Sequence, residues 1–199
     1  MKNNMINYFD TNQIKNFFSI KNVGKNVFIK NNCSIENPKK ISIGDNVRID
    51  DFCVFSGKSK ISIGSNVHIG PYSFFNSSDK ITLEDYVSLS NYVAIFTGTE
   101  DIDGGFFANP TLDEKYRNPS KGKIVIRKYS WIGPKCTILP NTTLNRGVAV
   151  LGHSLVSKSL PSWKIFYGNP IKFLKNRKKN IIKITKQYEK SFNVNKKKS

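Results

Sequence analysis

Carboxylates and glycines cluster at one place in this 199-residue chain, the segment Phe96–Gly105. It carries Glu100, Asp101 and Asp103. A carboxylate can orient an ammonium group and relay its proton, so these three side chains, in that order, are candidate catalytic residues. The same residues could instead be solubilising charges, with Asp103-Gly104 forming a turn.

The chain has only two histidines, His68 and His153. His68 lies between Val67 and Ile69, which are expected to point inward, so we expect its side chain on an outer face. The simpler interpretation is an exposed polar residue; if a histidine is the catalytic base, His68 is the better candidate of the two. We expect His153 at a corner, as an exposed polar residue. Two imidazoles cannot supply a three-histidine metal site within one chain, and we expect no metal requirement.

The overall composition favours one globular domain with a real core, because 38% of the residues are hydrophobic. The cysteines Cys33, Cys53 and Cys136 form no C-x-x-C pair, so neither a disulfide framework nor a thiolate zinc site is expected. No apolar run has the length of a membrane-spanning helix, and Met1–Asn4 does not resemble the start of a signal peptide. We therefore expect a cytoplasmic protein.

An internal repeat determines where these side chains lie. Segments Ile41–Ile49, Ile61–Ile69 and Ile81–Leu89 align without a gap at a spacing of 20, and a weaker copy begins at Val23. A large apolar residue recurs every six positions, and a small or β-branched residue follows four later. The apolar series is Val23, Ile29, Ile35, Ile43, Ile49, Phe55, Ile63, Ile69, Phe75, Leu83, Leu89, Ile95, then Ile126, Ile132, Ile138, Leu144, Val150, Val156. Six residues per face and three faces per coil predict a triangular β-solenoid, with each coil adding about 4.8 Å.

The corners and the steps between faces also follow a pattern. Glycines such as Gly44 and Gly64 directly follow inward aliphatics, and asparagines such as Asn46 and Asn66 come two residues later. Both residue types tolerate the positive φ that we expect at tight corners. The early coils advance by six, six and eight residues, with the extra two on the third face.

One long insertion interrupts the series. From Ile95 to Ile126 there are 31 residues where eight would suffice. The insertion must leave the third face of the fourth coil, and it contains the carboxylate cluster. Insertions in a solenoid gather on one side, commonly the functional one.

The hexad of aliphatic, glycine, two variable residues, small residue and variable residue resembles the hexapeptide-repeat acyltransferases. The resemblance covers roughly residues 20 to 174 and is most specific over Gly122–Pro140, with Val150–Lys158 and Tyr167–Lys172 similar to closing motifs. It implies an all-β left-handed parallel β-helix with a C-terminal α-helix. The implied divisions are an N-terminal cap at 1–20, the β-helix at 21–160 with an acceptor loop at 96–123, and a C-terminal extension at 161–199.

The family resemblance also implies a homotrimer. Acyl-CoA would lie in the groove between neighbouring prisms, and the loop would hold the acceptor. Outward apolar groups such as Phe74, Trp131 and Phe166 would be covered by neighbours. Small residues would let the pantetheine lie along the strands, and cations would bind its phosphates. The implied CoA-binding residues are Trp131, Gly133, Gly152, Ser154, Lys158, Lys172, Lys175 and Arg177.

The loop departs from the commonest family pattern, which has a histidine base in a Ser-His-Asp arrangement. Thr99-Glu100-Asp101 stands there instead, which resembles the branch with acidic loops that includes N-acyltransferases of nucleotide-linked amino sugars. This implies N-acylation of such a sugar in surface-polysaccharide biosynthesis, with acetyl-CoA the expected acyl-CoA donor. Two alternatives stay open. One is O-acetylation of a sugar hydroxyl, and the other is a non-catalytic β-helix scaffold whose basic tail binds membrane or nucleic acid.

The chain ends are expected to cap the solenoid. A short helix is predicted over Asn12–Ile20, Pro161 is predicted to end the solenoid, and a basic helix is predicted from Pro170 to a frayed Lys196–Lys198 end. The net charge is +18, and residues 172–199 hold eleven Lys and Arg against one acid, which is +10. We favour a capping helix with solvated lysines and no nucleic-acid partner; the alternative is weak contact with the anionic inner face of the membrane.

Overall fold

The computed structural model describes residues 8–20 and 22–196 and shows a three-sided β-solenoid of about seven turns. Each coil contributes one short strand to each of three parallel sheets, here called the first, second and third faces. The described residues do not include Met1–Asn4, on which the signal-peptide prediction rests, or Lys197–Lys198, on which the prediction of a frayed end partly rests. Neither helix in the described ranges has the length and apolar content needed to span a bilayer.

The strands are short because each one is only a side of the triangle. The first face consists of β2 (Asn22–Val23), β5 (Ile41–Ile43), β8 (Ile61–Ile63), β11 (Ile81–Leu83), β16 (Ile124–Ile126) and β19 (Thr143–Leu144). The second consists of β1 (Tyr8–Phe9), β3 (Val27–Lys30), β6 (Val47–Ile49), β9 (His68–Ile69), β12 (Ser88–Leu89), β17 (Trp131–Ile132), β20 (Ala149–Val150), β22 (Lys164–Tyr167) and β23 (Lys172–Asn176). The third consists of β4 (Ser34–Ile35), β7 (Val54–Gly57), β10 (Phe74–Ser77), β13 (Ala94–Phe96), β18 (Thr137–Ile138) and β21 (Leu155–Val156).

The six-residue period fills the interior, as the sequence predicted. Every member of the apolar series is buried except Val23 and Ile35 of the first coil, which pack half-buried against the core. The small residues four positions later are all buried too, and they include the three cysteines. Identical positions stack between coils: the rings of Phe55 and Phe75 lie 4.6 Å apart. Each large side chain so buried contributes about 1.5–3 kcal/mol to stability.

The corner glycines have a different purpose from the one the sequence suggested. Asn46 and Asn66 do have positive φ, at 56° and 58°, but Gly44, Gly64 and Gly70 do not. A Cβ on Gly70 would lie 2.7 Å from the carbonyl carbon of Ser90 and 2.8 Å from the amide nitrogen of Asn91 in the next coil. Glycine is needed there because two coils approach too closely to admit a side chain.

The N-terminal end of the solenoid is covered as expected. Helix α1 (Thr11–Phe17) begins at Asp10, whose carboxylate accepts the N–H groups of Asn12 and Gln13. Strand β1 pairs antiparallel with β3 and shields the edge of the second face.

The C-terminal end differs from the prediction in two ways. Pro161 does not end the solenoid, because β22 adds a further parallel strand to the second face. This strand turns Phe166 inward, where it is 6% exposed, so Phe166 is not an outward group. The segment after Pro170 first forms the antiparallel strand β23, and helix α2 begins only at Asn180 (Asn180–Lys196).

Gly70→Ala should lower the free energy of unfolding by about 1–3 kcal/mol, because the new methyl group would force two backbones apart. Gly105→Ala is the matched control: it lies in the insertion, and its nearest atom would be 3.6 Å away. Its effect should stay within about 0.5 kcal/mol. Denaturant unfolding of both variants measures the difference, and equal stabilities would contradict the close-approach explanation.

Candidate active site

The insertion has a rigid base. Antiparallel strands β14 (Gly98–Thr99) and β15 (Ser120–Lys121) bring its two ends together. At its start Thr97 is fully buried, with its hydroxyl 2.8 Å from the Asn76 carbonyl oxygen and accepting the Asp79 N–H at 2.8 Å. The insertion leaves the prism after β13, the third-face strand of the fourth coil, and returns at β16 on the first face, so its base lies at the corner between these two faces.

Glu100 is held in place by an arginine from the far side of the insertion. The Arg117 guanidinium contacts both carboxylate oxygens, with Nη2 on Oε1 and Nε 3.4 Å from Oε2. The two side chains are 28% and 15% exposed, so the pair is largely shielded from water. Sequence reasoning missed Arg117, because no repeat register relates residues within the insertion.

The other two loop carboxylates have different surroundings. Asp101 Oδ1 accepts the N–H groups of Asp103 at 2.9 Å and Gly104 at 3.1 Å, and Gly104 has φ +83°. Asp101 therefore closes a turn, with Asp103-Gly104 inside it. The Asp103 side chain is exposed and makes no hydrogen bond or ion pair with other described residues.

Beyond this turn the insertion presents to solvent a cavity with aromatic and basic lining residues. The cavity has a volume of about 280 Å³ and is lined by Gly104, Gly105, Phe106, Phe107, Lys115 and Tyr116. Ile102 beside it is 87% exposed and Phe107 is 59% exposed. Side chains this apolar and this open would be stabilised by a ligand or by a second protein surface.

His68 lies on the outside of the second face, as its position predicted. Its Nε2 lies 2.7 Å from Asp50 Oδ2. Tyr8 donates to Asp50 Oδ1 at 2.8 Å, and Arg48 Nε lies 3.0 Å from the same oxygen. His68 is therefore part of a charged cluster on the face that does not adjoin the insertion.

Asp50 is the centre of this cluster. Burial alone would raise the pKa of its carboxyl, but hydrogen bonds from His68 and Tyr8 and the nearby Arg48 charge together lower that pKa. Burial and the Asp50 carboxylate raise the pKa of Tyr8 to about 12. The cluster ties the N-terminal strand β1 to the solenoid.

Trp131 is the one predicted CoA-binding residue with a half-buried ring on an outer face. It lies on the second face, in register with Ser88 on one side and Ala149 on the other. Gly133 and Gly152 pack coil against coil, since a Cβ on Gly133 would lie 2.6 Å from the Gly152 amide nitrogen. Close packing between coils therefore explains why both positions are glycine.

The side chains of Ser154 and Arg177 are hydrogen-bonded to other groups within the protein. Ser154 is 3% exposed, donates to the Leu151 carbonyl at 2.6 Å and accepts the Gly168 N–H at 2.8 Å. Arg177 Nη1 lies 2.8 Å from the Tyr129 carbonyl oxygen and within 3.2 Å of two more backbone carbonyls, and burial lowers the pKa of its guanidinium. The structure therefore gives both residues structural contacts.

Three predicted phosphate-binding cations have free charges. Lys158, Lys172 and Lys175 are exposed, and none of them forms an ion pair within residues 8–20 and 22–196. His153 is exposed at a corner with φ +57°, as the sequence indicated. In these same ranges no cluster of His, Cys, Asp and Glu is suited to hold a metal ion.

One chain does not bring all of these groups together. The insertion leaves from the corner between the third and first faces, whereas Trp131 and His68 lie on the second face. Two sides of the triangle meet at each corner, and the second face is the side opposite the insertion. Within one chain, the base of the insertion and the second face therefore lie on opposite sides of the prism.

No family model matches the chain. Among solved structures it is similar to AntD, an N-acyltransferase from Bacillus cereus in complex with dTDP and 3-hydroxybutyryl-CoA. The two are 36% identical, with a TM-score of 0.89 over 95% of this chain and 100% of AntD. A maltose O-acetyltransferase from Clostridium difficile shares the fold alone, at 20% identity and a TM-score of 0.58 over 85% of this chain and 77% of that protein.

Among curated proteins the chain is similar to the dTDP-4-amino-4,6-dideoxy-D-glucose acyltransferase of Escherichia coli. The two are 35% identical over 107 residues, which is 54% of this chain and 56% of that protein. The chain thus spans about half the length of this relative. The similarity to AntD extends over nearly the whole of both chains.

Asp50→Asn should lower the free energy of unfolding at pH 7 by about 1–3 kcal/mol, because it removes charged hydrogen bonds from a mostly buried group. The pKa of the Asp50 carboxyl is lower in the folded than in the unfolded protein. Its contribution to the free energy of unfolding is therefore complete above the unfolded-state pKa of about 4, and it is lost as the pH falls through the folded-state pKa. Denaturant unfolding should therefore show a gap between wild type and variant that narrows in acid. Asp103→Asn is the control and should show no gap; a gap for Asp50→Asn that stayed constant in acid would contradict this prediction.

Proposed function

Because this chain belongs to the hexapeptide-repeat acyltransferase family, we propose that it transfers an acyl group from acyl-CoA to the amine of a nucleotide-linked amino sugar. The observation that carries this is the Glu100–Arg117 pair in the insertion, where a histidine base would otherwise be expected. The near full-length similarity to AntD supports the same substrate class. We place the activity in the cytoplasm, in the biosynthesis of a surface polysaccharide.

The chemistry requires a free amine next to a thioester. The amine nitrogen attacks the thioester carbonyl, a C–N bond forms, the C–S bond breaks, and the amine proton ends on the departing CoA sulfur. A sugar ammonium must first lose one proton before it can attack. The Glu100 carboxylate would orient that ammonium and take the proton to solvent.

The Arg117 contact favours an amine over a hydroxyl as the acceptor. An alcohol requires a strong general base, and a carboxylate paired with a guanidinium is a weak one. An amine requires less help, because once it has lost one proton its electron pair is free to attack. Asp101 would support this arrangement by closing the turn beside Glu100, and the exposed Asp103 is the third candidate. His68, which is hydrogen-bonded to Asp50, is the better of the two histidines as an alternative base.

We propose that the complete site lies between protomers of a homotrimer. The insertion of one protomer would approach the second face of its neighbour, where Trp131 would pack on CoA and Lys172 and Lys175 would bind its phosphates. Lys158, which follows the third-face strand β21, would be a further phosphate-binding cation. The packed glycines Gly133 and Gly152 would form the floor of the groove. This arrangement would also cover the exposed apolar tip of the insertion.

Glu100→Gln should lower kcat/KM by about 100-fold, because it keeps the shape of the side chain and removes its charge. Thiol release from acetyl-CoA, measured over a panel of nucleotide-linked amino sugars, follows the reaction. Glu114→Gln is the matched control, the same change at an exposed position in the same insertion. Similar turnover in both variants would exclude Glu100 from the chemistry.

The same assay distinguishes nitrogen from oxygen as the acyl acceptor. We expect a product whose acyl group survives mild base, since amides survive and esters are cleaved. Mass spectrometry before and after base treatment measures this. Loss of the acyl group would establish O-acetylation, and no acyl transfer to any sugar would favour a non-catalytic scaffold.

Co-expression of two impaired variants tests the shared site. In mixed oligomers of Glu100→Gln and Trp131→Ala chains, random association leaves about a quarter of the interfaces with both native halves. Activity should rise well above that of either variant alone. No gain from mixing would place the whole site within one chain.

A further inference from the structure

A row of lysines follows the corner between the third and first faces. Each member directly precedes an inward isoleucine that begins a first-face strand, and those isoleucines stack in register. We call this the lysine row; it consists of Lys40, Lys60, Lys80 and Lys123. Because the repeat places each lysine directly above the last, their backbones are separated by the coil spacing of about 4.8 Å.

This stacking is unfavourable by itself. Like charges on neighbouring strands repel and destabilise the sheet that carries them. All four side chains are exposed, and within the described ranges none of them forms an ion pair. Other lysines of the solenoid, such as Lys30 and Lys128, do pair with Asp51 and Asp85. An anionic ligand bound along the lysine row would remove this repulsion.

The row borders a groove. The longer eight-residue step of the early coils, which includes the 3-10 turn Pro38–Lys40, forms the wall of a cavity of about 480 Å³. Lys39 and Lys58 add to its positive lining, and Asp79 is the carboxylate that lines it. Asp79 Oδ1 already accepts the Lys80 backbone N–H at 2.6 Å. The groove thus has a strongly positive potential.

We infer that this groove binds a linear anionic glycan. Lys40, Lys60 and Lys80 line the groove, and Lys123 continues the row beyond it. The four positions extend over about 14 Å, which suits a chain with repeated charges better than one diphosphate group. The described lining contains no aromatic ring on which a nucleic-acid base could stack or that could enter a bilayer interface. It does contain Ser42, Ser59 and Asn22, whose hydroxyl and amide groups can bind sugar hydroxyls.

The lysine row ends close to the insertion, which indicates what glycan binding would do. Lys123 follows strand β15 by two residues, so the row ends at the base of the insertion. A bound glycan would lie along the side of the prism from which the acceptor loop emerges. This inference goes beyond the proposed acyl transfer: it would localise the protein on an anionic polysaccharide, and it stands whether or not the acceptor assignment is right.

A charge-matched pair of variants tests the inference. Lys40→Gln/Lys60→Gln/Lys80→Gln neutralises the row and leaves Lys123 beside the insertion intact. Lys183→Gln/Lys186→Gln/Lys190→Gln removes the same charge from exposed positions on α2. The probe is a fluorescent polygalacturonate oligomer, with its methyl-esterified form as the uncharged control, titrated at low and physiological salt. We expect the row variant to bind the acidic oligomer roughly tenfold more weakly or worse, and the α2 variant to bind nearly as the parent does.

The same titrations can also contradict the inference. Equal loss in both variants would mean non-specific attraction by net charge and would overturn the site. Row-dependent binding that is tighter for an oligothymidylate or for phosphatidylglycerol vesicles would overturn the glycan assignment. Thermal unfolding checks that the triple variant is folded; if it is not, the single change Lys60→Glu replaces it, with Lys186→Glu as its control. Thiol release should be unaffected by the row variant.

Discussion

The close stacking of one coil on the next is the constraint on which the rest of this structure depends. Each coil contributes a large apolar residue and a small one to every side of the triangle, and those positions repeat directly above one another. The distance between coils is set by backbone hydrogen bonds, so every interior side chain must fit the same thin layer. This explains why glycine is found where backbones approach, as at Gly70, and why the three cysteines, with their small side chains, fit inside the solenoid.

The regular stacking of coils that fills the core also places identical side chains in rows, or ladders, on the outer surface. Asn26, Asn46 and Asn66 form an amide ladder in which each Nδ2 donates to the next Oδ1. The rings of Phe52, Tyr72 and Tyr92 stack at 4.9 and 4.8 Å. Stacked amides and stacked rings stabilise the solenoid, whereas stacked lysines destabilise it. A row of like charges that repel one another is therefore a better indication of a ligand-binding surface than a row whose members bond to each other.

The insertion is free of this constraint and acquires its order locally. The turn at Asp101, the Glu100–Arg117 pair and the short antiparallel strands at its base hold it together without contributing to the core. A segment of this kind can change its chemistry without disturbing the solenoid. That separation lets one scaffold carry different functional groups on its insertion.

The sequence by itself determined the solenoid, its three faces, its interior residues and the exit point of the insertion, because a strict translational repeat leaves only one way to stack. It also identified His68 as outward and the loop carboxylates as a cluster. Only the tertiary structure decided that Arg117 holds Glu100, that Asp50 gathers Tyr8, Arg48 and His68, and that Ser154 and Arg177 are bonded internally. These contacts join residues that no period relates, or depend on rotamers and hydrogen bonds that the order of residues does not specify. The extra strand β22 and the late start of α2 were missed for the same reason: beyond Pro161 the hexad pattern ends, and packing against the last coil decides the conformation.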